Sequence, residues 1–176
     1  SGDPIEFKVD NEAVSNALSH PDDICFDLMA VKESQEFARN FRPFPNIYYF
    51  SYCGCKSAQI PVMKKSIPKF GMFFNDVATS FLMGFYTNTD PSKGALIDTS
   101  WTPNDGQVNL ISARAPLNEP QDDFTSLADC RPGIWYKMPV EDKDHHSFMG
   151  IGQRPDEYRN FIYDVLYRIS NLDTVN

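Results

Sequence analysis

A serine framed by glycines is what this chain conspicuously lacks: no Gly-x-Ser-x-Gly occurs anywhere in its 176 residues. The strained strand-to-helix elbow that presents a nucleophilic serine is therefore not supplied by it. Long apolar runs are missing as well. The longest, such as Ala78 to Tyr86, are far too short to span a bilayer. No Lys/Arg cluster interrupts a balance of 16 basic against 24 acidic residues, net −8, which argues against nucleic acid or an anionic membrane surface as a partner. No signal peptide is recognisable, and Ser1-Gly2 reads as a cloning remnant. Cysteine is sparse. Cys25, Cys53, Cys55 and Cys130 are too few and too irregularly spaced for a disulfide framework, and Cys53-Gly54-Cys55 is tighter than the usual zinc knuckle. They are expected to be mostly core thiols.

What is present suffices for a folded core: 41% hydrophobic and 14% aromatic residues in a one-domain length, 1–176, with no internal repeat or low-complexity stretch. Pro4 to Asp10 alternates like a short strand or extended entry, and Asn11 to Leu18 is weakly helical. The spacing of Val31, Phe37, Ala38 and Phe41 predicts a helix that stops before Pro43. Asn46 to Tyr52 is the clearest strand, apolar on both faces, as in the middle of a parallel sheet covered by helices. Pro61 to Phe70 reads as loop, Met72 to Phe85 as an apolar helix, and Arg114 to Arg131 as a proline-punctuated surface excursion. Ile134 to Met138 is a short strand. Pro155 to Asn171 closes the chain as a helix whose Tyr158, Phe161, Ile162, Val165, Leu166 and Ile169 form one apolar stripe that needs a sheet beneath it. The expected class is α/β, a mostly parallel sheet flanked by helices.

Two stretches concentrate side-chain chemistry. Trp101 to Asn109 places Asp105 in an Asn-Asp-Gly turn at the edge of an expected strand running on through Val108, Leu110 and Ile111. Forty residues later comes Asp144-His145-His146-Ser147-Phe148-Met149-Gly150. An Asp in such a turn commonly just bonds the local backbone. An acid followed by a histidine at a strand end is also the second half of a nucleophile–acid–histidine order. That chemistry needs His145 neutral as a base, with its other ring nitrogen held by a carboxylate; Asp105 suits the role. Asp144 is expected to fix the loop, and His146 to point away from His145. A thiol at Cys53 or Cys55, after the best strand, could complete the order Cys, Asp, His, although neither is flanked by the glycine pair of an elbow.

At these residues the chain resembles the carboxyl-terminal half of the secreted triacylglycerol lipases of the staphylococcal and thermophilic Bacillus type. The resemblance is carried by Phe7 to Asp10, Ile47 to Tyr52 with Cys55, Phe70-Gly71-Met72, Trp101 to Asn109, Gly133-Ile134-Trp135 and Asp144-His145 with Gly150. It implies an α/β-hydrolase segment, with Asp105 as triad acid, His145 as triad histidine, and the serine in an amino-terminal half that this chain does not contain. It also implies a calcium site using the backbone of Gly71, but the family's carboxylate ligands fall here on Ser147 and Gly152. Asp22 matches one ligand of the family's zinc site, or serves as a helix-capping acid.

Three functions remain open on the residues. The first is a lipase-like ester hydrolase, with this chain contributing Asp105 and His145. The second is a lipase-derived binding module without catalysis, and the third a Cys-His-Asp hydrolase. The resemblance further implies an ester or lipid substrate, secretion, and association with the missing half or with a second copy. No transmembrane segment is expected.

Overall fold

The computed structural model describes residues 42–172, together with Val31, Gln35, Glu36 and Arg39, which are helical. The chain divides into two compact units, 1–40 and 41–176. The readings of Pro4 to Asp10, of Asn11 to Leu18 and of Asp22 lie outside the described residues, as does most of the predicted helix around Phe37.

The second unit is organised by three short parallel strands. Aromatic side chains at Tyr49–Ser51 (β1) and Trp135–Lys137 (β5) pair in register, Tyr49 against Trp135 and Phe50 against Tyr136. The facing rings stack, with centroids 5.0 Å and 5.8 Å apart, a geometry that adds to the burial of their area. The Trp135 indole N–H donates to Ser51 Oγ at 2.8 Å, so this neighbour pair is also tied by side chains. On the other side of β5 runs Gln121–Asp123 (β4), also parallel and fully exposed; its charges suit an edge strand. The sheet order is β1-β5-β4. The expected parallel sheet is there, but among the described residues β5, not the more apolar β1, is its middle strand. The excursion around Gln121 supplies the far edge, which its polarity concealed.

Between β1 and β4 the chain builds a second layer. Ser57–Ile60 (β2) and Lys65–Pro68 (β3) form an antiparallel hairpin whose turn places Lys64 at φ 52°. A strand therefore replaces part of the loop expected from Pro61 to Phe70. The flanking prolines suggested a break, yet Pro68 sits at the strand's last position, where its missing N–H is tolerated. Helix α1, Phe74–Phe85, packs on β3 with an inverted face: Asp76, Ser80 and Gly84 are buried, whereas Phe74, Phe81, Leu82 and Phe85 are exposed. The inward positions are small because the strand is close. A Cβ on Gly84 would lie 2.0 Å from the Ser66 carbonyl oxygen.

The run through Leu110 and Ile111 is a short helix, Leu110–Arg114 (α2), rather than a strand. Helix α3, Pro155–Ser170, begins on proline with Asp156 and Glu157 in its first turn, which favours the N-terminus of its dipole. Its covered side differs from the expected stripe. Tyr158, Phe161, Ile162 and Val165 are half-buried, but Leu166 and Ile169 are exposed. Arg168 occupies the covered side in their stead, its guanidinium 4.8 Å from the Phe124 ring centroid.

The Gly84 contact has a measurable consequence. Gly84→Ala should lower stability by roughly 2–3 kcal/mol through overpacking against β3, more than the ~1 kcal/mol that alanine gains as the better helix former. A lower urea midpoint with an unchanged slope is the expected result.

Candidate active site

The acid turn is hung from one fully buried side chain. Asn104 donates through Nδ2 to the carbonyls of Ser80 and Thr102, at 3.2 and 2.9 Å, and accepts from Gly106 N at 3.0 Å. Its backbone N–H reaches Ser57 Oγ and its carbonyl accepts from Lys56 N, so helix α1, the hairpin and the turn meet on one residue. Gly106 follows at φ 103°, a left-handed conformation that glycine adopts without strain.

This anchoring holds Asp105 in a buried position with its carboxylate fully engaged. Oδ1 accepts from Gln107 N at 2.9 Å and Val108 N at 2.7 Å, and Oδ2 lies 3.0 Å from His145 Nδ1. The His145 backbone N–H also donates to the Asp105 carbonyl at 3.0 Å. A carboxylate only accepts, so the proton of neutral His145 sits on Nδ1 and the lone pair on Nε2. The ring is 39% exposed at its side chain, so that second nitrogen can meet an incoming group.

The histidine loop arrives beyond the carboxyl end of β5, where sites collect in parallel sheets. The β1–β5 pairing continues past the strand ends through Glu141 N to the Cys53 carbonyl and Cys55 N to the Glu141 carbonyl. Gly54 lets the loop pass: a Cβ there would meet the Lys143 carbonyl oxygen at 2.3 Å. Asp144 fixes the loop. Its Oδ1 accepts from Ser147 N and Ser147 Oγ, its Oδ2 from Phe73 N at 2.7 Å. The 3-10 turn His146–Met149 then ends on Gly150 at φ 81°.

His146 points away from its neighbour, the two rings being nearly perpendicular with centroids 6.3 Å apart, and it has a carboxylate of its own. Its Nδ1 donates to Asp76 Oδ2 at 2.7 Å. Asp76 was not among the residues singled out by sequence. The single acid within the helix expected from Met72 to Phe85 was the available signal.

The two candidate thiols do not join this arrangement. Cys53 is buried at 2% exposure, and burial pushes its thiol up, opposed by the Arg114 charge and reinforced by Cys55, Asp105 and Glu141. Cys55 Sγ turns instead to the carbonyl and hydroxyl of Ser57, both at 3.7 Å. Among the described residues no hydrogen bond links either thiol to His145. Cys53, Cys55 and Cys130 are unpaired thiols.

Gly71, Ser147 and Gly152 do converge, lining one cavity of about 280 Å³ with Lys56, Asp142, Asp144 and Gln153. The donor set does not fit Ca²⁺. Both Asp144 oxygens are taken by loop donors, Ser147 Oγ is bonded to Asp144 and Gln153, and Gly152 offers no carboxylate. Asp142 is already met by two ammonium groups, and Lys69 beside it holds its carboxyl below the usual range, with Lys56 adding to the effect. Among the described residues no group of three or more His, Cys, Asp or Glu side chains could hold a metal. Asp22 lies outside the described residues.

Known proteins share this fold. The crystal structure of Staphylococcus hyicus lipase superposes with a TM-score of 0.68 over 93% of this chain and 44% of that one, at 25% identity. EstA from Clostridium botulinum gives 0.73 over 82% of this chain and 34% of its own, also at 25% identity. The lipase sequence of S. hyicus is 34% identical over 107 residues, 60% of this chain and 15% of that protein. Lipase 2 of Staphylococcus aureus is 32% identical over 112 residues, 61% and 14%. The chain thus spans about a seventh of the curated relatives it matches. A parallel sheet flanked by helices and closed by a carboxyl-terminal helix, in the company of lipase structures, defines an α/β-hydrolase segment of lipase type. The chain belongs to the family described as "Lipase-like, C-terminal domain", whose model matches residues 8–168. Among the described residues, no helix is long and apolar enough to cross a membrane.

Two outcomes follow from the cavity and the thiols. Adding Ca²⁺ or a chelator should leave the thermal midpoint of the chain unchanged; a rise with Ca²⁺ would show that this donor set binds it. Alkylation of the native chain near neutral pH, read by peptide mass mapping, should mark half-buried Cys55 before Cys53. Because burial favours the neutral thiol, Cys53 labelling should increase only as pH climbs above the ordinary thiol range.

Proposed function

We propose that this chain supplies the acid and the base of a serine ester hydrolase acting on lipid-type carboxylic esters, with the serine contributed by a segment outside it. The observation that carries the reading is the three-donor seat of Asp105, two backbone N–H groups on one oxygen and His145 Nδ1 on the other. A carboxylate that merely capped its turn would need only the first two. In the proposed step, His145 Nε2 takes the hydroxyl proton as the serine attacks the ester carbonyl, then returns it to the departing alkoxide. Asp105 holds the ring and stabilises the imidazolium formed between those events.

The need for a second segment has physical support in the outward apolar face. Phe70, Phe74 and Leu82 are exposed at or beside α1, and Tyr163, Leu166, Tyr167 and Ile169 on α3. Faces of this kind mark surfaces that another segment covers. The same faces also suit the second reading, a lipase-derived interaction module without catalysis, or self-association. Kinship with the staphylococcal lipases supports a secreted setting, and the cavity lining supports a histidine loop held without calcium.

The chain alone should not hydrolyse p-nitrophenyl esters. Joined to the amino-terminal segment encoded upstream, it should do so, and Asp105→Asn or His145→Ala should cut kcat by about 10⁴. Robust turnover by the isolated chain would sink the claim that the nucleophile lies elsewhere. Joined protein that stays inert leaves the interaction module standing.

A further inference from the structure

The function proposed above leaves a second carboxylate–imidazole pair without a task. Asp76 is 1% exposed, on the inner face of α1, and its Oδ2 receives His146 Nδ1. Burying a carboxylate is costly unless it is met by donors, and the second donor identifies what this one is tied to. Asp76 Oδ1 accepts from Gln107 Nε2 at 3.0 Å. The backbone N–H of that same Gln107 donates to Asp105 Oδ1 at 2.9 Å. From Asp105 the path runs through Oδ2 to His145, and from His145 across one peptide bond to His146. The circuit closes on Asp76.

Other contacts press the same three parts together. Thr79 Oγ1, one turn along α1 from Asp76, donates to the Gly106 carbonyl in the acid turn. Gly106 admits that approach, since a Cβ there would lie 2.5 Å from Asp76 Cβ. The His146 ring lies against Phe73, centroids 4.4 Å apart, which limits its rotation. Asp76 thus sits at the junction of α1, the acid turn and the histidine loop.

We infer that Asp76, acting through His146 on one side and Gln107 on the other, is a positioning residue that keeps the His145 Nδ1–H on Asp105. It touches neither substrate nor the reacting atoms. Apart from the bridge through Asp76, the direct hydrogen bonds between the acid turn and the histidine loop among the described residues are the two between Asp105 and His145. With it, a shift of either loop strains two further hydrogen bonds, those of His146 Nδ1 and Gln107 Nε2 to the Asp76 carboxylate. The inference rests on the acid–histidine reading of Asp105 and His145, and its test separates the two.

The readout is the imidazole ¹⁵N–¹H spectrum of the full 176-residue chain, which reports the tautomer of His145 and the solvent exchange of its Nδ1 proton. In the unmodified chain that proton should be observed on Nδ1. In His146→Ala it should exchange about tenfold faster, with a fraction of His145 moving to the Nε2–H tautomer, because coupled members of one network lose order together. Gln107→Met, at an exposed position and so expected to fold, should move both quantities in the same direction. His146→Asn should restore the spectrum, since its amide nitrogen stands where the imidazole Nδ1 stood. A role confined to holding α1 in place would change the melting midpoint and leave the His145 tautomer alone. An unchanged Nδ1–H signal in folded Gln107→Met and His146→Ala would overturn the inference, and Gln107→Met decides it should His146→Ala fail to fold. Asp105→Asn provides the separation. If it leaves the His145 signal unaltered, the acid–histidine reading itself is wrong; if it abolishes the signal while the other variants do not, only the role of Asp76 falls.

Discussion

Asp105 is a carboxylate at 5% exposure, and a charge so buried is tolerable only where donors meet it. Three N–H groups do so: two from the two residues after Gly106 and one from the imidazole of His145. That requirement shapes much of what surrounds it. The turn has to be tight enough to fold Gln107 and Val108 back onto Oδ1, which Asn104 and Gly106 ensure. The histidine loop has to be delivered to Oδ2, which the β1–β5 pairing and its extension to Glu141 accomplish. A substitution that loosens either side leaves the carboxylate partly unmet, and the cost is then one of desolvation, not merely of one lost bond.

Helix α1 answers to the same centre from the other direction. Its inner face is polar and small because it must approach β3 within contact of a carbonyl and offer Asp76 and the Ser80 carbonyl to the site. The apolar residues are left on the outer face. The usual rule for a surface helix is thereby reversed, and the exposed aromatic side becomes the surface a companion segment would cover.

Much of this was legible before any coordinates. The Asn-Asp-Gly turn, the acid-before-histidine order and the pairing role of Asp105 with His145 rest on local turn chemistry and on the valence of imidazole. The parallel strand pair and helix α3 follow from aromatic runs and a 3.6-residue period. Other features were misjudged for identifiable reasons. The strand Lys65–Pro68 was hidden by prolines, because its existence depends on pairing with Ser57–Ile60. Leu110 and Ile111 looked like strand and are helix, as a short apolar run does not declare its period. Leu166 and Ile169 lost the covered side of α3 to Arg168, whose stacking on Phe124 no periodicity rule foresees.

The sequence by itself determined the chemistry on offer: an acid in an Asn-Asp-Gly turn, a histidine forty residues after it, no Gly-x-Ser-x-Gly, and a net charge of −8. Those properties are local or compositional, so they need no knowledge of the fold. Only the tertiary structure decided which face of α1 is buried, that β5 lies between β1 and β4, and that Cys53 is sealed away from the histidine. It alone joined His146 to Asp76 across seventy positions of chain. Contacts at that separation are set by how layers pack, and a linear pattern carries no record of which distant carboxylate an imidazole will meet.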